Sequence, residues 1–178
     1  MQNLNINGTG YVHSGEYNKV VICGSCMGSG DLIANKLEIN GTLFFEGNVE
    51  CDSIIINGAF EAQDINTANI IINGQLNCNN IIANIIEIDA RNDCSINLAK
   101  SKKIKTIIKK SIFTKYKKKV VININTLISD DIEVSGLKSQ EVNCNILNAK
   151  DNTHINKLYY SSQYIIDDSV KIDYIMKK

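Results

Sequence analysis

Residues 37–53 read LEINGTLFFEGNVECDS, residues 54–69 read IIINGAFEAQDINTAN and residues 70–85 read IIINGQLNCNNIIANI. Set under one another they repeat: an apolar residue, a variable residue, Ile, then Asn-Gly. An earlier copy, VVICGSCMGSGDLIANK, occupies residues 20–36, and a fifth begins as IEIDARNDC at Ile86. Ile22, Ile39, Ile56, Ile72 and Ile88 are equivalent, with spacings of 17, 17, 16 and 16. Two places on stand Gly24, Gly41, Gly58 and Gly74, with Ala90 at the fifth place. An apolar position (Leu32, Val49, Ile65, Ile81) and a small one (Ala34, Cys51, Thr67, Ala83) close each unit.

Helical repeats need more than about thirty residues per unit, so this period excludes them. It suits one turn of a β-helix, with short strands, tight corners and side chains alternating inward and outward. The five isoleucines (Ile22, Ile39, Ile56, Ile72, Ile88) are expected to stack as an inner column. Asn-Gly is expected at a corner because both residues tolerate positive φ. Composition agrees: isoleucine dominates, asparagine is abundant, and Trp and Pro are absent. Ile and Val favour strands, and Asn favours tight turns. The expected fold is all-β: a solenoid of 16–17-residue turns, about 8–9 in number, interrupted by one basic insert.

The net charge of zero conceals a segregation. Residues 1–99 carry eleven acids and three bases, residues 100–119 carry ten lysines and no acid, and residues 120–178 carry eight acids and six bases. The expected organisation is therefore 1–99 as N-terminal turns, 100–119 as a lysine-rich insert, and 120–178 as C-terminal turns and end. Read as a helix, the insert places Ile104, Ile107, Ile108 and Ile112 on one side. Lys102, Lys103, Lys105, Lys109 and Lys110 lie mostly opposite, and Phe113 is positioned to insert at headgroup level. That pattern suits an anionic membrane surface, where each lysine contributes up to about 1 kcal/mol. A solvated insert whose isoleucines pack on the solenoid is the equal alternative. No nucleic-acid fold signature accompanies the lysines, so no nucleic-acid partner is expected.

Residues 1–10, MQNLNINGTG, lack a basic start and an apolar core, so an export signal is not expected. The six cysteines are then expected as reduced cytosolic thiols. Cys23-Gly24-Ser25-Cys26 is a single C-x-x-C without a second pair or a nearby His, which is weak evidence for zinc. His13 and His154 are isolated in sequence. No phosphate loop, G-x-S-x-G or H-E-x-x-H is present. Asp31, Glu50 and Asp52 read as solvating acids on an outer face. No enzyme activity, cofactor, metal or catalytic residue is expected.

Residues 15–22, GEYNKVVI, followed by short glycine-bearing turns, resemble the bactofilins, and more closely the polymer-forming cytoskeletal proteins of Gram-positive bacteria. Gly30-Asp31-Leu32 and Gly47-Asn48-Val49 are similar to the family's recurring Gly-Asp-Val/Ile. Asp130-Asp131-Ile132-Glu133-Val134 opens a second, similar block. Departures occur where Asp64, Asn80 and Ala90 replace expected glycines. The resemblance implies a right-handed β-helix that assembles into nucleotide-independent, non-polar filaments. It also implies a cytoplasmic scaffold lying against the inner face of the membrane and positioning client proteins. Bare strand edges at the solenoid ends favour self-association on physical grounds too. Tyr159, Tyr160, Tyr164, Ile165 and Ile166 are the expected polymer-end contact. The alternative is a non-polymerising peripheral membrane or protein-binding adaptor on the same fold.

Overall fold

The computed structural model describes residues 1–89, 91–107 and 120–178. These residues are all-β, with twelve strands joined in one parallel sheet that winds into a solenoid of about ten turns. The strands are β1 (Gln2–Ile6), β2 (Thr9–Val12), β3 (Gly15–Ile22), β4 (Ser25–Ile39), β5 (Thr42–Ile56) and β6 (Ala59–Ile72). They continue as β7 (Gln75–Ile88), β8 (Cys94–Thr106), β9 (Ile122–Ser135), β10 (Leu137–Lys150), β11 (His154–Ile166) and β12 (Lys171–Lys177). From β4 to β11 each strand is 13–15 residues long, nearly a whole period, so each is one rung bent around the core.

The register follows the sequence repeat. Ile22, Ile39, Ile56, Ile72 and Ile88 are successive partners, and all are buried. A second column, Val20, Leu37, Ile54, Ile70, Ile86, Ile104, Ile132 and Leu147, runs beside it and is fully buried throughout. Identical shapes recur because every rung presents the same gap to the rung above. In the small column the polar members satisfy themselves locally. Cys51 Sγ donates to the Ser53 carbonyl at 3.1 Å, and Thr67 Oγ1 to the Asn69 carbonyl at 3.1 Å.

Asparagine does more than turn the corners. Asn73 Nδ2 donates to Asn57 Oδ1 at 2.9 Å, and Asn57 Nδ2 to Asn40 Oδ1 at 2.7 Å. Asn35 to Asn18 and Asn18 to Asn3 form a second ladder, each bond 3.0 Å long. Asn48 donates to Asp31, Asn80 to Asp64 and Asn125 to Asn97 in the same sense. An amide carries donor and acceptor together, so one side chain can receive from the rung above and give to the rung below.

The corner glycines correct an expectation. Neither Asn40, Asn57 and Asn73 nor Gly41, Gly58 and Gly74 has positive φ. What excludes a side chain is the neighbouring rung: a Cβ on Gly58 would lie 1.8 Å from the Gly41 carbonyl oxygen, and one on Gly41 would lie 1.9 Å from that of Gly24. Two further expectations change. The turns number about ten, because partial rungs extend both ends, β1 and β2 below β3 and β4, and β12 above β11. The lysine-rich insert does not begin at residue 100. β8 continues through Thr106, and Lys103, Ile104 and Lys105 pair with Asp131, Ile132 and Glu133 of β9. Ile104 fits the second column, so the ladder takes this stretch as strand rather than helix. The register between β8 and β9 advances by 28 residues, from Ile104 to Ile132, where the turns below advance by 16–18. Ile108, Lys109, Lys110, Ile112, Phe113 and Ala90 lie outside the described residues.

Two outcomes follow from this packing. Gly58→Ala adds one methyl at a corner and should cost about 2 kcal/mol or more, exceeding the roughly 1 kcal/mol of Ile56→Val in the core. Urea denaturation of both variants measures the order, and a smaller loss for Gly58→Ala would overturn the close-approach account. The thiols give a second check. Burial pushes Cys78 up to about 12, and Cys51 and Cys144 up to about 11, while Cys23 is exposed. Iodoacetamide at pH 8 should therefore place a single adduct, at Cys23, on the folded chain, read by mass spectrometry.

Candidate assembly interface

The two ends of the solenoid differ. At the N-terminal end Tyr17 sits below Ala34 in the small column and is itself buried, its hydroxyl donating to the His13 carbonyl at 3.1 Å. Val12 is fully buried, and Leu4 and Ile6 pack partly against the core. A large ring fills the space here where higher rungs carry Ala or Cys, while β1 and β2 below it keep their own unpaired edges.

At the C-terminal end the columns run out into solvent. Leu147 and Ala149 are fully buried, yet their partners one rung up, Tyr164 and Ile166, are 36% and 39% exposed. Leu158 is fully buried and its partner Ile175 is 39% exposed. β12 covers only part of β11, from His154↔Lys171 to Tyr160↔Lys177, and the Lys178 amide closes the pairing on the Tyr160 carbonyl at 2.9 Å. Residues 163–166, beyond an irregularity at 161–162, are paired to β10 below and to no described strand above. Tyr164, Ile165, Ile166, Tyr174, Ile175 and Met176 thus form an exposed apolar step around a bare strand edge.

The step is held in place from within. The Tyr160 and Tyr164 rings meet edge to face at 4.9 Å, and those of Tyr159 and Tyr174 at 6.3 Å. Lys178 Nζ lies 5.7 Å from the Tyr159 ring centre and donates to Asn143 Oδ1. Asp173 receives Lys171 at 3.1 Å and His154 Nε2 at 3.2 Å, and these two donors hold its carboxyl below the ordinary value. Both contacts are solvent-exposed, so they orient β12 more than they stabilise it.

All five residues expected as the polymer-end contact come to this end, Tyr159 and Tyr160 half-buried, and Tyr164, Ile165 and Ile166 exposed. Tyr174, Ile175 and Met176 complete the surface. Their signal was the continuation of the Leu158 column into Ile175, which needs the register to be seen.

The lysine segment is divided. Ile104 is fully buried, so it cannot touch a membrane. Lys103 pairs with Asp131 and Lys105 with Glu133, both at 3.2 Å, binding β8 to β9. Lys102 and Ile107 are exposed. Cys23 lies exposed at the corner between β3 and β4, whereas Cys26 is buried on β4. The C-x-x-C therefore does not converge on one ion, and no group of three potential metal ligands occurs among the described residues. Cys23-Gly24 occupies the corner that Asn40-Gly41 fills one rung up, and Asn40 Nδ2 donates to Cys23 Sγ at 3.9 Å. No protein-family profile, curated protein or solved structure matches this chain.

Proposed function

We propose that this protein is a structural scaffold that assembles end to end through the C-terminal face of its solenoid, in the manner of the bactofilins it resembles. The observation that carries the reading is the uncovered end, where two inner columns terminate in the exposed Tyr164 and Ile166 beside an unpaired strand edge. An exposed edge flanked by apolar side chains is a template for another strand. A second copy offers the matching columns, and like ends meeting give a two-fold joint of the kind that builds non-polar filaments. The periodic solenoid supports the bactofilin likeness. The N-terminal end, where Tyr17 and Val12 are already buried, leaves the C-terminal joint the tighter of the two contacts. The exposed lysines and any membrane contact are secondary on this reading, since Ile104, Lys103 and Lys105 belong to the solenoid itself.

The purified chain without nucleotide should show thin filaments or end-joined particles by negative-stain electron microscopy. Tyr164→Asp and Ile166→Asp should each weaken association about a hundred-fold, because either buries an unpaired charge in the joint. Circular dichroism and melting temperature should stay near wild type, since both side chains are exposed in the single chain. A monodisperse monomer at all concentrations for the unaltered protein would overturn the scaffold reading and favour the adaptor.

A further inference from the structure

One lateral face of the solenoid is divided by charge along its axis. Its central outward column is Ile33, Glu50, Asn66, Ile82, Lys100 and Ile128, one residue on each of β4 to β9. Two places further along β5 and β8 stand Asp52 and Lys102. The acids thus lie on the lower rungs and the lysines on the upper ones, and all four side chains are exposed. None of the four forms an ion pair with another described residue, unlike Lys103 and Lys105 on the adjoining face. Ile82, at 51%, is among the most exposed large apolar residues, and Ile33 below it and Ile128 above it are exposed too.

We propose that this face docks on the same face of a second copy, side by side and antiparallel. The two-fold axis runs along the strand direction between β6 and β7. Rotation about it sets β5 against β8 and β4 against β9 while keeping each outward column opposite itself. Glu50 then meets Lys100 of the second copy, Asp52 meets Lys102, and Ile33 meets Ile128, each pair occurring twice. The remaining acids of this face, Asp31, Asp64 and Asp130, fall opposite Thr126, Asn80 and Asn35. No like charges face one another on this face between β4 and β9. A parallel pairing would instead set Glu50 on Glu50 and Lys100 on Lys100. The charge pattern thus selects the second copy as partner and fixes its direction, the self-complementarity an isologous contact requires. Six rungs at about 4.8 Å make a contact roughly 25 Å long, small enough to be weak in a single pair. Repeated along two filaments it would hold by avidity. The contact uses neither solenoid end, so it stands or falls separately from the end-to-end joint.

The test uses the full chain carrying Ile166→Asp, which blocks the end joint, in an equal mixture of isotopically heavy and light protein. Carbodiimide cross-linking followed by mass spectrometry should give mixed heavy–light peptides joining Glu50 to Lys100 and Asp52 to Lys102. Sedimentation should show a salt-sensitive dimer. Lys100→Glu with Lys102→Glu should weaken it at least tenfold, and adding Glu50→Lys with Asp52→Lys should restore it. All these positions are exposed, and circular dichroism checks that each variant folds. Absence of the mixed peptides, or a dimer indifferent to the double reversal, overturns the proposal. So does failure of the folded quadruple variant to recover.

Discussion

Everything in this molecule rests on one constraint: each rung must lie about 4.8 Å above the last, bonded along nearly its whole length by parallel backbone hydrogen bonds. At that spacing a residue sees its equivalent one turn away before it sees anything else. Like must then stack on like. Isoleucine fits isoleucine in the two inner columns, an amide hands a hydrogen bond to an amide at the corners, and glycine meets glycine where two backbones touch. The repetitive composition is therefore a consequence of geometry and carries no separate message about chemistry.

The same constraint explains how the chain accommodates a long register step. Between β8 and β9 the pairing advances by 28 residues, and the sequence after Thr106 carries no Asn-Gly. Thr106 takes the place of isoleucine in the first column, and its hydroxyl receives the Ser135 amide at 2.8 Å and donates to the Ser135 carbonyl at 3.0 Å. Asp93 receives the Val121 amide at 2.9 Å on the returning side. Higher corners follow this style. Ser135 Oγ donates to Asp151, and Asp151 and Asn152 take the positive φ values that the Asn-Gly corners do not use. Close glycine backbones with an Asn ladder build the lower corners, and Thr, Ser and Asp side chains take over that role at the upper ones.

That change of corner style sets what could be read from the sequence. The first five turns were legible because Ile22, Ile39, Ile56, Ile72 and Ile88 keep one spacing and one neighbour. Above them Thr106 and Ala149 replace isoleucine, and turn lengths range from 15 to 28, so only alternation survives. The lysine run misled because residues 104–108 suit a helical face and a strand equally. Ile104 is decided by Ile86 below it and Ile132 above it, and that information is tertiary. The terminal tyrosines and isoleucines were visible as a cluster. Their exposure was not, since an inner column is apolar whether or not another rung covers it.

Uncovered columns at one end and a charge-divided face along the side are two forms of one problem. A solenoid built by stacking like on like has no internal reason to stop, and its outer columns repeat as faithfully as its inner ones. At the lower end Tyr17 fills the interior with a ring where the column calls for Ala or Cys, beneath which only the partial rung of β1 follows. Nothing comparable follows Tyr164 and Ile166 among the described residues, and the exposed end of an isoleucine column is chemically the same as a site one rung down that is fully buried. The side face differs because its column does not repeat: Glu50 and Lys100 occupy the same position three rungs apart. Departure from repetition in an outward column costs the fold nothing, as no core depends on it. It is in such columns, rather than in the conserved geometry of the core, that a molecule of this kind can encode direction.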